Sequence, residues 1–397
     1  MINAVCGSGS TGRIVTDICG VLKSKGDSVK VAYGVGTATR IDASEAIKIS
    51  SKLGYYTHNA LSRLTDRAGF YSHAATRRLI SAIEEFKPDV IHLHNLHGYY
   101  VNVRMLFQYL ASKETPVIWT LHDCWAMTGH CAHFSYIHCD KWVAGCHHCP
   151  QLTAYPKCHL MNRSAKNYEE KKKLFTSVKH MTIVTPSEWL AGIVRRSFLS
   201  RYEVRVIPNG IDLDVFKPTP SDFRERYGLG NKRIVLAVSN VWIEKKGFSD
   251  VCKLSQMLGK DQYQVVMVGL TEKQMSNVPD TILPIRRTSS VEELAGIYSA
   301  ADVFINMTYE DTFPTVNLEA LGCGTPVYTY KTGGSPESIS QTCGRIISKG
   351  DLVEMCEAIH SMGTKTVSCC VDRAKEYCKT KSFEKYIDIY GEQLQKP

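Results

Sequence analysis

At 397 residues, with 44% hydrophobic and 22% charged residues, the chain has the composition of a globular protein of two domains of roughly 150–200 residues each. This excludes a disordered, fibrous or membrane-embedded chain, and no apolar run approaches the roughly 18 residues that span a bilayer. The net charge of +9 is unevenly held: residues 1–207 carry 26 Lys and Arg against 15 Asp and Glu, with 13 of the 14 His, while the remainder carries 22 against 24. The halves are therefore expected to meet different ligands.

In chain order, short β-branched runs bounded by Gly and Pro predict strands at 2–6, 28–33, 90–95, 117–121, 182–185 and 204–207. They recur at 233–239, 264–268, 282–285, 303–307 and 326–330. Helices are predicted between them, including 73–86, 247–258, 291–300 and 316–322. This alternation makes parallel sheets with crossover helices. The seam is Ile207-Pro208-Asn209-Gly210, followed by Lys217-Pro218-Thr219-Pro220, where turn formers cluster and the charge balance changes sign. Two doubly wound α/β domains, 1–207 and 208–381, are expected. Segment 123–162 breaks the rhythm: it is rich in Cys, His and Trp, shows neither period, and reads as an insertion in the first domain.

In the second half the chemistry is densest at Glu310-Asp311-Thr312-Phe313-Pro314-Thr315-Val316, with Glu319 beyond. A strand ends just before this run and a helix opens at its Pro, so amides of 315–317 are predicted to face the strand's carboxyl end. Lys245 and Lys246 follow the domain's first strand, and Gly333-Gly334 opens a further turn. Three strand-to-helix turns carrying amides, cations and acids on one sheet edge describe a nucleotide-diphosphate crevice. In the first half, Gly9, Ser10, Thr11, Gly12 and Arg13 form a turn after the first strand. Gly7, Gly9 and Gly12 match a dinucleotide fingerprint, but the strand ending Tyr33-Gly34 lacks the acid that would hold a ribose.

Taken together, Asp311-x7-Glu319, Lys246-Gly247, Gly333-Gly334-x-x-Glu337 and Ile207-Pro208-Asn209-Gly210-Ile211-Asp212 resemble the family 4 retaining glycosyltransferases. The likeness covers essentially the whole chain, and Glu310-Asp311-Thr312-Phe313-Pro314-Thr315 resembles the bacterial capsule, O-antigen and colanic-acid branch. The resemblance implies a GT-B fold, two Rossmann-like domains facing across a cleft, with 382–397 a helix crossing back to the first domain. It implies that Glu319 binds the donor ribose, that Asp311 or Glu310 holds the transferred sugar, and that Lys246 neutralises the leaving diphosphate. Asn240 stands where the family carries an Arg, and Lys245, Arg286 and Arg287 are candidates for that charge. His122 would contact the transferred sugar, while His94 and Asn95 would bind acceptor. The acids are then binding groups rather than a glycosidase pair, and catalysis requires no cofactor.

The implied activity moves a hexosyl unit from a UDP- or GDP-sugar to a lipid-linked oligosaccharide during surface polysaccharide assembly. The other readings are a different GT-B enzyme, such as a sugar-nucleotide epimerase or a phosphorylase, or a basic nucleic-acid-binding protein. Nucleic acid is disfavoured because the basic residues lack interleaved aromatics. They include Arg63, Arg67, Arg77, Arg78, Lys166, Lys171, Lys172 and Lys173, and are read as a face for anionic membrane. The chain opens Met1-Ile2-Asn3-Ala4-Val5 with no basic segment or cleavage site, so a cytoplasmic location at the inner membrane face is expected.

The insertion holds Cys131, Cys139, Cys146 and Cys149, the last two as Cys-x-x-Cys. In a reducing compartment this fits a structural, tetrahedral zinc site. Thiols packed as small hydrophobes, or disulfides, are the alternatives, and Cys124 and Cys158 are the substitutes should one ligand be misassigned.

Overall fold

The strands sort into two all-parallel sheets in a computed structural model that describes residues 1–395. The first contains β1 (Ile2–Asn3), β2 (Val31–Tyr33), β3 (Ala46–Lys48), β4 (Ile91–Leu93), β5 (Val117–Thr120), β6 (Met181–Thr185) and β7 (Glu203–Val206). Its order is β3-β2-β1-β4-β5-β6-β7. The second contains β8 (Arg233–Val238), β9 (Tyr263–Val268), β10 (Ile282–Ile285), β11 (Val303–Asn306), β12 (Val327–Tyr330) and β13 (Gly344–Ile347), ordered β10-β9-β8-β11-β12-β13. Counted within each sheet, both follow 3-2-1-4-5-6, the Rossmann order, and the first adds a seventh strand.

Alternation along the strands explains why both faces of each sheet are covered. Trp119 and Ile183 pack into one core of the first unit, while their neighbours Ile118 and Val184 pack into the other. In the second unit Leu236, Val266 and Phe304 face one core, and Val235, Val265 and Ile305 face the opposite one. Helix ends follow local chemistry: Ser187 Oγ accepts from Leu190 N at one start and Ser290 Oγ from Glu293 N at another.

The chain forms two units, Met1–Pro208 with the chain from Phe383 on, and Asn209–Ser382. The helix Lys379–Gln395 therefore begins in the second and continues in the first, where Phe383, Tyr386 and Ile389 pack with Ile14, Ile18 and Val31.

Several boundaries differ from expectation. β1 is two residues rather than five, because the chain bends from Ala4 onward into the Gly-rich turn, and the Met1 amine is buried, donating to Lys30 O at 2.6 Å. β2 and β4 are likewise shorter, and the short edge strands β3 and β13 were not among the predicted strands. The basic face also needs correction. Lys171 is buried, its Nζ donating to Trp125 O (2.8 Å) and Thr128 O (3.0 Å) over the Trp125 ring. Arg67 is buried against the Phe70 ring and pairs with Glu170 at 2.7 Å. Neither faces a membrane.

Segment 123–162 contains one 3-10 turn, Trp125–Met127, and is otherwise turns and extended chain. It is pinned to the first unit by Trp125, Phe134 and Trp142, which enter its core, and by Lys171 beneath it.

Candidate active site

The carboxyl ends of neighbouring strands β8, β11 and β12 carry the predicted donor residues. Two glycines allow their turns to close on one another. Gly247 adopts φ +77°, and a Cβ there would lie 2.3 Å from Met307 O. At Gly333, φ is +56° and a Cβ would lie 1.7 Å from Asp311 O. The Lys245–Lys246 turn is tied down by Tyr309 N donating to Lys245 O at 2.8 Å. Lys245 Nζ then meets Glu310 Oε2 at 2.9 Å, while Lys246 Nζ meets Asp311 Oδ2 at 2.7 Å and Glu310 O at 3.2 Å. Gly334 N donates to Asp311 O at 3.3 Å, which completes the join.

Each lysine is partly exposed beside a more buried carboxylate, Glu310 being 4% exposed. An ammonium has three donors, so pairing with a carboxylate leaves capacity for phosphate oxygens. The helix Thr315–Gly322 opens at Pro314 with no side-chain cap, and Thr315 and Val316 are half-buried at its start. Its first amides and positive dipole end suit an anion. Glu319, in the same helix, is 6% exposed and its Oε2 accepts from the Tyr298 hydroxyl at 3.1 Å. Burial first, and then this carboxylate, push the Tyr298 hydroxyl well above its ordinary pKa, so it remains the donor.

The structure thus brings together Lys245, Lys246, Glu310, Asp311, Gly333 and Gly334, with Thr315, Val316 and Glu319 on the adjoining helix. Phe313, by contrast, packs beside Tyr377 in the core and is 3% exposed, and Thr312 and Pro314 are buried. Their side chains support the loop rather than offering ligand contacts. Arg286 pairs with Glu272 at 2.8 Å. Asp250, which the sequence did not single out, accepts from Tyr309 (2.6 Å) and Tyr330 (2.9 Å) and locks the β11 and β12 ends to the helix Phe248–Met257 that follows β8. An Asp-x-Asp triplet, Asp212-Leu213-Asp214, lies in the linker, where Asp212 is committed to Lys379 at 2.5 Å and to Asp214 N at 3.1 Å.

In the first unit the corresponding strand ends carry histidines. His92 is buried, its Nδ1 2.6 Å from Tyr390 Oη and its Nε2 2.8 Å from Thr120 Oγ1. His97 bridges Tyr155 Oη (3.0 Å) and Asp123 Oδ2 (2.6 Å). Burial alone would raise the Asp123 carboxyl, but His97 beside it and the Trp125 N–H hold it below its ordinary range. His94 lies past the end of β4 with its Nδ1 3.1 Å from His122 Nε2, and the two rings stack. Burial lowers His122 to about 4 and His94 well below its ordinary value, so both are neutral near pH 7.

Here two acceptor-side expectations are corrected. His94 is 1% exposed, with its Nδ1 turned to His122, which is half-buried, so His122 is the more accessible of the two. Gly12 is buried against Gly7 N and Val5, so it packs the turn. Ser8, Gly9 and Ser10 are exposed, and Thr11, Arg13 and Asn95 are partly so.

Comparison with known proteins bears on the family and the fold. The sequence model of Glycosyltransferase Family 4 matches residues 11–215, and that of Glycosyl transferases group 1 matches 232–364. WcaC of Escherichia coli (strain K12), named for glycosyl transfer in colanic acid biosynthesis, is 22% identical over 409 residues, covering 98% of each chain. Among solved structures, sucrose-phosphate synthase from Thermosynechococcus elongatus superposes with a TM-score of 0.72 at 16% identity, over 98% of this chain and 97% of that one. Anabaena Alr3699/HepE in complex with UDP and glucose superposes with a TM-score of 0.65 at 15% identity over 98% of each. The fold is of the GT-B type, and the chain belongs to Glycosyltransferase Family 4.

Proposed function

We propose that this glycosyltransferase moves a hexosyl unit, with retention of anomeric configuration, from a nucleotide-diphosphate sugar to a lipid-linked glycan. The observation that carries the reading is the paired cluster Lys245–Glu310 and Lys246–Asp311 beside the uncapped helix start at Thr315. Two ammonium groups and free amides neutralise a diphosphate as it departs, while Glu310 and Asp311 have oxygens suited to sugar hydroxyls and Glu319 to a ribose. The UDP and glucose of the HepE complex support a uridine donor. In retaining transfer the acceptor hydroxyl approaches on the face the phosphate leaves, and the departing phosphate oxygen takes its proton. The protein's part is positioning and electrostatic stabilisation. His122, neutral and half-buried, is suited to hold a sugar hydroxyl by a hydrogen bond.

A lipid-linked acceptor and contact with anionic membrane are supported by the helix Lys52–Thr65. Leu53, Tyr56 and Leu64 are exposed along one of its faces, with Lys52 and Arg63 also exposed. Nearby, His159 N donates to Arg63 O, and the following Leu160 and Met161 are exposed. Exposed apolar side chains beside cations suit an anionic lipid surface. No described helix is long and apolar enough to cross a membrane.

The test is a panel of UDP- and GDP-sugars read by nucleotide release, with the product anomer assigned by NMR. One donor is expected to turn over with retention, and Glu319→Ala is expected to abolish turnover. Inversion at the anomeric carbon overturns the retaining mechanism, and an unchanged rate in Glu319→Ala overturns the site assignment.

A further inference from the structure

Within segment 123–162 a pocket of about 10 Å³, room for a single ion, is lined by His130, Cys131, Cys139, Cys146 and Cys149. All four cysteines are free thiols, and Cys139, Cys146 and Cys149 are only partly buried.

The second observation is independent of the cysteines. His130 is 3% exposed, its Nδ1 lies 2.5 Å from Asp66 Oδ1, and its Nε2 is buried with no hydrogen-bond partner. A carboxylate behind Nδ1 fixes the proton there and leaves the Nε2 lone pair presented, the arrangement that supports a metal-bound imidazole. Asp66 is itself held: it caps the helix Lys52–Thr65 and its Oδ2 accepts from Arg163 N at 2.7 Å. An orphaned nitrogen is costly unless something fills its position.

We propose that this pocket takes one structural Zn²⁺, held by the thiolates of Cys131, Cys146 and Cys149 and by Nε2 of His130, with Asp66 as the supporting carboxylate. Three sulfurs and one imidazole match the tetrahedral preference and borderline softness of zinc, and they leave no open position for chemistry. Binding releases the three thiol protons to solvent. As the side chains stand, no three His, Cys, Asp or Glu among the described residues are grouped closely enough to hold an ion, so the thiols must turn toward the pocket about χ1. Cys139 lines the same pocket and is the competing fourth ligand. Cys158 points elsewhere, its sulfur donating to Met161 O at 3.1 Å. The site would fix the shape of a segment with almost no regular structure, and it does not depend on the donor assignment.

The experiment is metal analysis of the full chain purified under reducing conditions without chelator. About one zinc per chain is expected, and less than about 0.2 per chain after zinc supplementation overturns the site, as does a Cys131–Cys149 disulfide seen in the intact mass. Cys131→Ser with Cys149→Ser, and separately His130→Gln, are expected to empty the site, while Cys139→Ser and the distant Cys252→Ser keep it filled. Loss in Cys139→Ser with retention in His130→Gln overturns the histidine ligand. Should the variants fail to fold, cobalt exchanged into the wild-type chain decides. Its visible and sulfur charge-transfer bands distinguish three thiolates and an imidazole from four thiolates, and absence of those bands overturns the site.

Discussion

The two units share one strand order and use the same edge of their sheets in opposite ways. In the second, the ends of β8 and β11 carry two lysine–carboxylate pairs. In the first, the ends of β4 and β5 carry histidines kept neutral by burial. A charged, partly exposed edge is prepared for a soluble anion. A neutral edge can hold hydroxyl groups by hydrogen bonds without fixing a counter-charge. The topology places a site at the carboxyl ends of the strands, and the side chains decide what that site accepts.

The largest expected effect tests the charged edge. Lys246→Ala should lower kcat/KM by about 10²–10³, the typical cost of removing a group that stabilises developing charge. A loss under fivefold, measured by nucleotide release at saturating acceptor, would break the distinction between the edges. The second test is pH. His58 is lowered to about 3 and His122 to about 4, in both cases chiefly by burial, against 6.5 for an ordinary histidine. The unfolded chain therefore binds protons that the folded one does not. Stability from these groups is fully present above about pH 6.5 and is lost as pH falls toward 4. Hydrogen exchange at pH 7.5 and 5 should show peptides of residues 1–208 losing protection more than those of 209–382, and equal loss refutes the assignment.

Next, Lys171→Met leaves Trp125 O and Thr128 O without their buried donor, which should cost about 1–3 kcal/mol. It should lower the melting temperature without changing KM for the donor. The smallest effect on catalysis is expected from Leu53→Ser with Tyr56→Ser. Turnover of a water-soluble acceptor should stay within about twofold, as for exposed surface substitutions generally, while co-sedimentation with anionic vesicles falls. Unchanged sedimentation would remove that helix face from the membrane reading.

How much of this was legible in the sequence depends on the range of the interactions. β8, β9 and β11 are rich in apolar, largely β-branched or aromatic residues, and their extents fall close to the predicted ones. Ala46–Lys48 carries no such pattern and pairs only at a sheet edge, so it was invisible. The Lys245, Lys246, Glu310 and Asp311 cluster was legible because turns after parallel strands converge by topology. Glu319's tie to Tyr298 and Asp250's tie to two tyrosines depend on packing and carry no spacing signal. The same holds for Lys171, which a charge count assigns to the surface and the Trp125 ring takes inside. His130 and Asp66 are 64 positions apart, so nothing local joined them.

The helix Lys379–Gln395 has a consequence for biogenesis. Phe383, Tyr386 and Ile389 complete a core begun by Ile14 and Ile18, and Tyr390 completes the surroundings of His92. Residues 209–382, by contrast, form a contiguous stretch. During synthesis the unit started first must therefore wait, unfinished, until the unit started second has emerged. At ~5–20 residues per second that delay is on the order of tens of seconds, during which part of an apolar sheet face stands uncovered and open to chaperones.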